Sequence, residues 1–135
     1  AIWEWLVQQR SQSSPLKWAL VLEDDVLWIS HDLRQKLEDV VRQLPREWHV
    51  CYVGWHGKQV LHLAAGDATS LLQPPVSLER WRGHPDPMGT FAYLVSVQGA
   101  QRLLDSNVVF PLDFQLDAQL NYAFAAGGIR AYRCT

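Results

Sequence analysis

An α/β fold is predicted by three observations in the first half of the chain. Trp18–Leu22 (WALVL) is a short, continuously apolar run, the signature of a strand covered on both faces as in a parallel sheet. Leu33, Leu37, Val40, Val41 and Leu44 recur at the spacing of one helical face, and Pro45 stops the pattern. Trp48–Val53 (WHVCYV) is a second apolar run, ended by Gly54. Strand, loop, helix, strand is the βαβ order, so a sheet flanked by helices is expected.

The other elements follow from local signals. Ile2, Trp3, Leu6 and Val7 fall at helical spacing, and Arg10–Pro15 (RSQSSP) is a polar breaker. Ser30-His31-Asp32 reads as a helix N-cap with an acid beside it. Gln59–Ala64 alternates weakly and reads as a short strand, Gly66–Pro75 as loop, and Val76–Trp81 as a further strand. His84–Gly89 (HPDPMG) is loop by its prolines and glycine, and Thr90–Val95 (TFAYLV) is a strand. Ser96 caps a helix whose inner face is Ala100, Leu103 and Leu104. Pro111-Leu112-Asp113 opens a last helix with Leu116, Leu120 and Ala123 on one stripe, Gly127-Gly128 ends it, and Ile129–Cys134 makes a final strand. No repeat, low-complexity tract or linker divides the chain, so residues 1–135 are expected to form one partial domain.

Composition agrees. A chain of 135 residues has room for one core and not two. With 48% hydrophobic and 19% charged residues it is globular rather than disordered. Its net charge of -2 gives no nonspecific pull toward nucleic acid or anionic membrane, so neither is expected as a partner. No apolar run approaches the about 20 residues of a membrane span. The one methionine is Met88, so the chain reads as a processed chain or, more readily, a piece of a longer protein. Of its seven tryptophans, Trp3, Trp18 and Trp48 lie in element-forming patterns and read as core. Cys51 reads as a buried thiol and Cys134 lies near the end; no disulfide is inferred from them, and the redox compartment stays open.

Glu23-Asp24-Asp25 follows WALVL directly. Ligands of open α/β sheets bind at the carboxyl ends of strands. Three adjacent carboxylates repel one another unless a divalent cation offsets them; a merely solvated strand end is the alternative. Two metal-using schemes compete. A phosphoacceptor receiver domain also places adjacent acids after its first strand, but it needs an Asp at a downstream strand end and a Lys at a late one. Here the next strand ends Tyr52-Val53-Gly54-Trp55, and the lysines are Lys17, Lys36 and Lys58. That scheme is excluded. The other is a nucleotide-sugar glycosyltransferase, in which a metal held by a D-x-D-like motif offsets the charge of the departing nucleoside diphosphate.

The segments in order now resemble glycosyltransferase family 25, which includes bacterial lipooligosaccharide galactosyltransferases and animal collagen galactosyltransferases. The resemblance is carried by a Trp-bearing helix, W-A-L-V-L-E-D-D-V, an amphipathic helix, W-H-V-C-Y-V-G, G-T-F-A-Y-L-V-S-V-Q-G-A-Q-R-L-L and P-L-D. It runs from about Trp3 to about Asp117. It implies a GT-A-like mixed sheet flanked by helices. It also implies transfer of galactose or glucose from a UDP-sugar, with Mn²⁺ or Mg²⁺, to a glycan or protein hydroxyl. Glu23 and Asp25 would bracket the donor and hold the metal, with Asp25 the preferred ligand and Asp24 adjusting the site. Gly89 and Thr90 would lie near the transferred sugar. Members of the family are thought to invert the anomeric centre, which requires a base for the acceptor hydroxyl. Asp113 is the candidate and Asp117 the substitute; helix capping is the competing role for both.

Relatives begin with a further nucleotide-binding segment, an N-L-x-x-R-x-x-R-like strand and a Ser-His pair, which this sequence lacks. The chain is therefore expected to be a fragment with half a donor site. The alternative is a catalytically inactive GT-A-like binding or scaffold module. Compartment follows acceptor, cytoplasm for a bacterial protein and ER or Golgi lumen for a eukaryotic one. Trp55 and His56 are further candidates for donor or acceptor contact, His84 for completing a metal shell, and Arg80 and Arg82 around Trp81 for meeting phosphate, each with an ordinary surface or packing role as the alternative.

Overall fold

Residues 2–26, 29, 31–56, 78–81, 88–113 and 115–134 are described in a computed structural model of the chain, with 55, 56, 78–81 and 88 described by their backbone only. The strands are β1 (Trp18–Leu22), β2 (Val50–His56), β3 (Leu78–Trp81), β4 (Met88–Ser96) and β5 (Ala131–Cys134). The helices are α1 (Ile2–Gln8), α2 (Leu33–Gln43), α3 (Val97–Leu104) and α4 (Leu116–Ala125). Among the described residues the strands form one mixed sheet in the order β1-β4-β2-β5-β3. β4 is antiparallel to both β1 and β2, β2 is parallel to β5, and β3 closes antiparallel on β5.

Period-two alternation divides the strands between two cores. Val50, Tyr52, Tyr93, Val95 and Ala131 face α1, α3 and α4, meeting Trp3, Leu6, Ala100, Leu103, Leu120 and Phe124. Cys51 and Leu94 face α2, with its buried Leu37 and Val40 and the Leu44 that follows it, closed off by Trp48. The mixed α/β architecture is thus as expected. Its wiring differs from a parallel βαβ unit. α2 does connect two strands of the same direction, but β4 lies between them. β1 is therefore an edge strand among the described residues, half-buried along its length, with Leu22 39% exposed. β4 takes the inner place between β1 and β2, where its buried Tyr93, Leu94 and Val95 give it apolar side chains for both faces.

Two boundaries also move. β2 runs on through Gly54 to His56 with register shifts on either side of the glycine. A Cβ at Gly54 would lie 3.0 Å from the Ala92 Cβ, so the glycine permits close approach of the strands rather than ending one. α4 starts at Leu116, not at Pro111: residues 111–113 are exposed and non-helical, and the Pro111 carbonyl accepts from Gln119 Nε2 at 2.9 Å. The Ser96 cap is as expected, its hydroxyl accepting from Gly99 N at 2.9 Å. Trp3 and Trp48 are buried, while Trp18 is half-buried. The expectations for 59–64, 66–75, Ser30, Arg82 and His84, and for the side chains of Trp55, His56, Arg80 and Trp81, lie outside what is described. Among the described residues no helix is long and apolar enough to cross a membrane.

Candidate functional site

Glu23, Gly89, Thr90 and Asp117 converge where β4 begins. Glu23 follows the last residue of β1 and continues its pairing, its N–H donating to the Phe91 carbonyl at 3.0 Å. By alternation it shares the side of Ala19 and Val21, which pack on the three-helix core. Its carboxylate Oε1 accepts from the Thr90 hydroxyl at 2.5 Å, across 67 residues of sequence. One residue earlier, Gly89 N donates to Asp117 Oδ2 at 3.1 Å. Gly89 holds φ at 103°, and a Cβ there would meet the Phe91 ring at 2.6 Å, so both conformation and space require glycine. Asp117 Oδ1 accepts from Ala118 N at 2.7 Å. An acid in the first turn of α4 also complements the helix dipole.

Beneath these carboxylates lie two buried phenols that sequence reasoning missed. Tyr52 and Tyr93 are cross-strand partners with ring centroids 5.9 Å apart. Tyr93 accepts from Trp3 Nε1 at 3.2 Å, which gives the Trp-bearing helix a polar tie to the site. Burial pushes the Tyr93 hydroxyl above the usual phenol range, against the Trp3 bond and with help from the Glu23 charge. Burial also pushes Tyr52 up, reinforced by Tyr93 and by the charges of Asp117 and Glu23. Both phenols stay neutral, and both face the carboxylate end of the sheet. The only signal for them was a tyrosine inside each apolar run, which reads equally well as plain core.

Asp24 and Asp25 form the exposed turn after Glu23, and Asp113 is exposed in the stretch before α4. These three are exposed and are not part of the hydrogen-bonded cluster of Glu23, Thr90, Gly89 and Asp117. Among the described residues no group of three or more His, Cys, Asp or Glu is arranged to hold an ion by protein alone. The donor set is nevertheless of the right chemistry for Mg²⁺ or Mn²⁺. Thr90 occupies one oxygen of Glu23 and leaves Oε2 for a ligand, and the Asp25 carboxylate is in water. One or two carboxylates with substrate phosphates completing the shell is the usual arrangement for such ions. A cleft of about 350 Å³ lined by Arg10, Gln98, Gln101, Arg102 and Asp105 belongs to α3 and its surroundings, not to this cluster.

No protein-family model matches the chain, and neither a curated protein nor a solved structure shows significant similarity to it.

Proposed function

We propose that the chain is part of a metal-dependent hexosyltransferase of GT-A-like fold, moving galactose or glucose from a UDP-sugar to a hydroxyl of a glycan or protein. The reading rests on one observation. The acidic triplet, through Glu23, and α4, through Asp117, are tied to the consecutive residues Thr90 and Gly89 at one strand start. The mixed sheet with helices on both faces is compatible with that fold.

In this reading Glu23 and Asp25 would hold a divalent cation, which when bound offsets the charge developing on the UDP leaving group. Thr90 fixes the Glu23 carboxylate by holding Oε1, so that Oε2 meets the ligand in one orientation. Asp117 accepts from the Gly89 and Ala118 backbone N–H groups, one on each oxygen. Its part is to hold Gly89, and through it Thr90, in place. Asp113, exposed in the stretch before α4, is the group that would take the acceptor proton. The neutral phenols of Tyr52 and Tyr93 wall off the floor, where the local dielectric is low.

Calorimetric titration of UDP into the full-length protein containing this chain, with and without Mn²⁺, tests the reading. Binding is expected only with Mn²⁺, and is expected to be lost in Glu23→Gln and Asp25→Ala. Absence of Mn²⁺-dependent UDP binding in the full-length protein overturns it. A second reading is a catalytically inactive binding module, in which the Asp117 bonds to Gly89 and Ala118 serve only to hold the strand start in place. Mn²⁺-dependent UDP binding with neither donor hydrolysis nor transfer would select it.

A further inference from the structure

Cys51 and Cys134 are the two cysteines of the sequence, and neither is disulfide-bonded. The parallel register pairs Cys51 with Tyr132, so Cys134 lies two residues further along β5 and on the same face. Both belong to the core on the α2 side, Cys51 fully buried and Cys134 packed against it. The two thiols share a hydrogen bond. Cys51 Sγ also lies 3.9 Å from the Tyr52 carbonyl oxygen, a weak alternative acceptor. Cys134 is half-buried and lines an apolar cavity of about 310 Å³ between α2 and the sheet, together with Leu20, Leu37, Val53 and Phe91. One sheltered thiol therefore stands behind one that a small molecule reaches.

We propose that Cys134 and Cys51 are a thiol–disulfide exchange pair, closed to an intramolecular link between β5 and β2 by a small-molecule disulfide. The Cys134 thiolate attacks one sulfur of that disulfide, forming a mixed disulfide and releasing one small thiolate. Cys51 then gives its proton to the released thiolate and attacks the Cys134 sulfur, expelling the second small thiolate. Two protein thiols are oxidised and one small disulfide is reduced to two thiols, so atoms and electrons balance. The order of events follows from the environment. The bond from Cys51 holds the Cys134 thiol below the usual thiol range, burial opposing, whereas that same bond and burial push Cys51 up. A reachable thiol of lowered pKa beside a resolving cysteine is the arrangement that exchanges.

Closure requires movement at the end of β5. Cys134 is offset by two residues from the register partner of Cys51, a diagonal of about 7–8 Å between Cα atoms, whereas a disulfide spans Cα atoms up to roughly 6.8 Å apart. The β2–β5 pairing ends at Tyr52 and Arg133, so Cys134 shifts toward Cys51 without opening that ladder, at the expense of its pairing with Leu78 of β3.

The test is to incubate the native full-length protein with oxidised glutathione, quench with acid and map the peptides by mass spectrometry. Wild type is expected to give a Cys51–Cys134 cross-linked peptide that dithiothreitol reverses, with a raised thermal midpoint. Cys51→Ser is expected to stop at a glutathione adduct on Cys134, and Cys134→Ser to leave Cys51 unmodified while folded. The proposal is overturned if the wild-type adduct persists on Cys134 without a cross-link, or if Cys51 in Cys134→Ser reacts as fast as Cys134 in Cys51→Ser. No nucleotide sugar enters the experiment, so its outcome is independent of the glycosyltransferase reading.

Discussion

β4 is fastened differently at its two ends. At the Ser96 end backbone and buried side chains interlock. Ser96 N donates to His49 O at 3.0 Å, and the Ser96 hydroxyl donates to Trp48 O at 2.8 Å while accepting from Gly99 N. His49 N donates to Arg130 O, and Arg130 N returns a bond to His49 Nδ1 at 2.9 Å. At the Gly89 end the ties run through carboxylates, Asp117 to Gly89 and Glu23 to Thr90, beside an exposed acidic turn. Bonds of the first kind are lost only by unfolding. Those of the second kind leave lone pairs that a cation or a substrate can take. One end of the strand is closed and the other is open, and in the proposed reading the open end serves the chemistry.

The largest effect is expected from Gly99→Ala. A Cβ there would lie 2.1 Å from the His49 carbonyl oxygen, so β2 and α3 must part. A loss of about 3 kcal/mol in urea unfolding is expected, the upper range for overpacking. A negligible loss would break the contrast, because the closed corner would then be as yielding as the open one.

His49→Ala comes next, at about 2 kcal/mol, for it leaves the Arg130 N–H without its acceptor. His49→Asn, which keeps an oxygen near that place, should lose less. The same bond fixes a pH dependence. Nδ1 accepts only in the neutral ring, and burial first, then the Arg102 and Arg130 charges, hold the imidazole below its usual range. The unfolded chain takes up a proton near pH 6.5 while the folded one does not. The His49 contribution is therefore complete above about pH 6.5 and is lost as pH falls below it toward the folded value. Stability measured from pH 7 to 5 should decline less steeply in His49→Asn than in wild type.

Thr90→Val carries the comparison to the other end. It removes one partly buried hydrogen bond, so a stability loss of about 1 kcal/mol is expected. If Thr90 orients Glu23, Mn²⁺-dependent UDP affinity should fall by more than about tenfold, which corresponds to about 1.4 kcal/mol. Asp117→Asn should do the same through Gly89. Unchanged affinity in both would show that the hydrogen bonds at this end serve folding alone.

What could be read from the sequence follows the range of the interactions. The Ser96 cap is local, formed with Gly99 three residues on, and was legible. So was the buried face of α2, set by spacing alone. WALVL was legible as a strand but not as an edge strand, since a hydrophobic run carries no record of how many neighbours pair with it; β4 decides that. Pro111 reads as a helix start because proline suits the first helical position, yet its carbonyl is taken by the Gln119 side chain and the helix begins later. At the candidate site each acid was visible by type. The tie between Gly89 and Asp117 depends on where α4 packs, and the pairing of Tyr52 with Tyr93 on sheet register. Neither is written in any single segment.

Asp113→Asn has the smallest expected effect on stability and isolates the chemistry best. The side chain is exposed and precedes α4, so substitution should alter unfolding by less than about 0.5 kcal/mol. Donor binding should be unchanged too, because Glu23 and Asp25, not Asp113, would face the metal and diphosphate. If Asp113 removes the acceptor proton, kcat should drop by about 10²-fold or more while Mn²⁺-dependent UDP affinity is retained. That split separates a proton acceptor from Thr90 and Asp117, whose loss acts on binding. An Asp113→Asn variant with full kcat would move the search for the base to the exposed carboxylates of the acidic turn, Asp24 first.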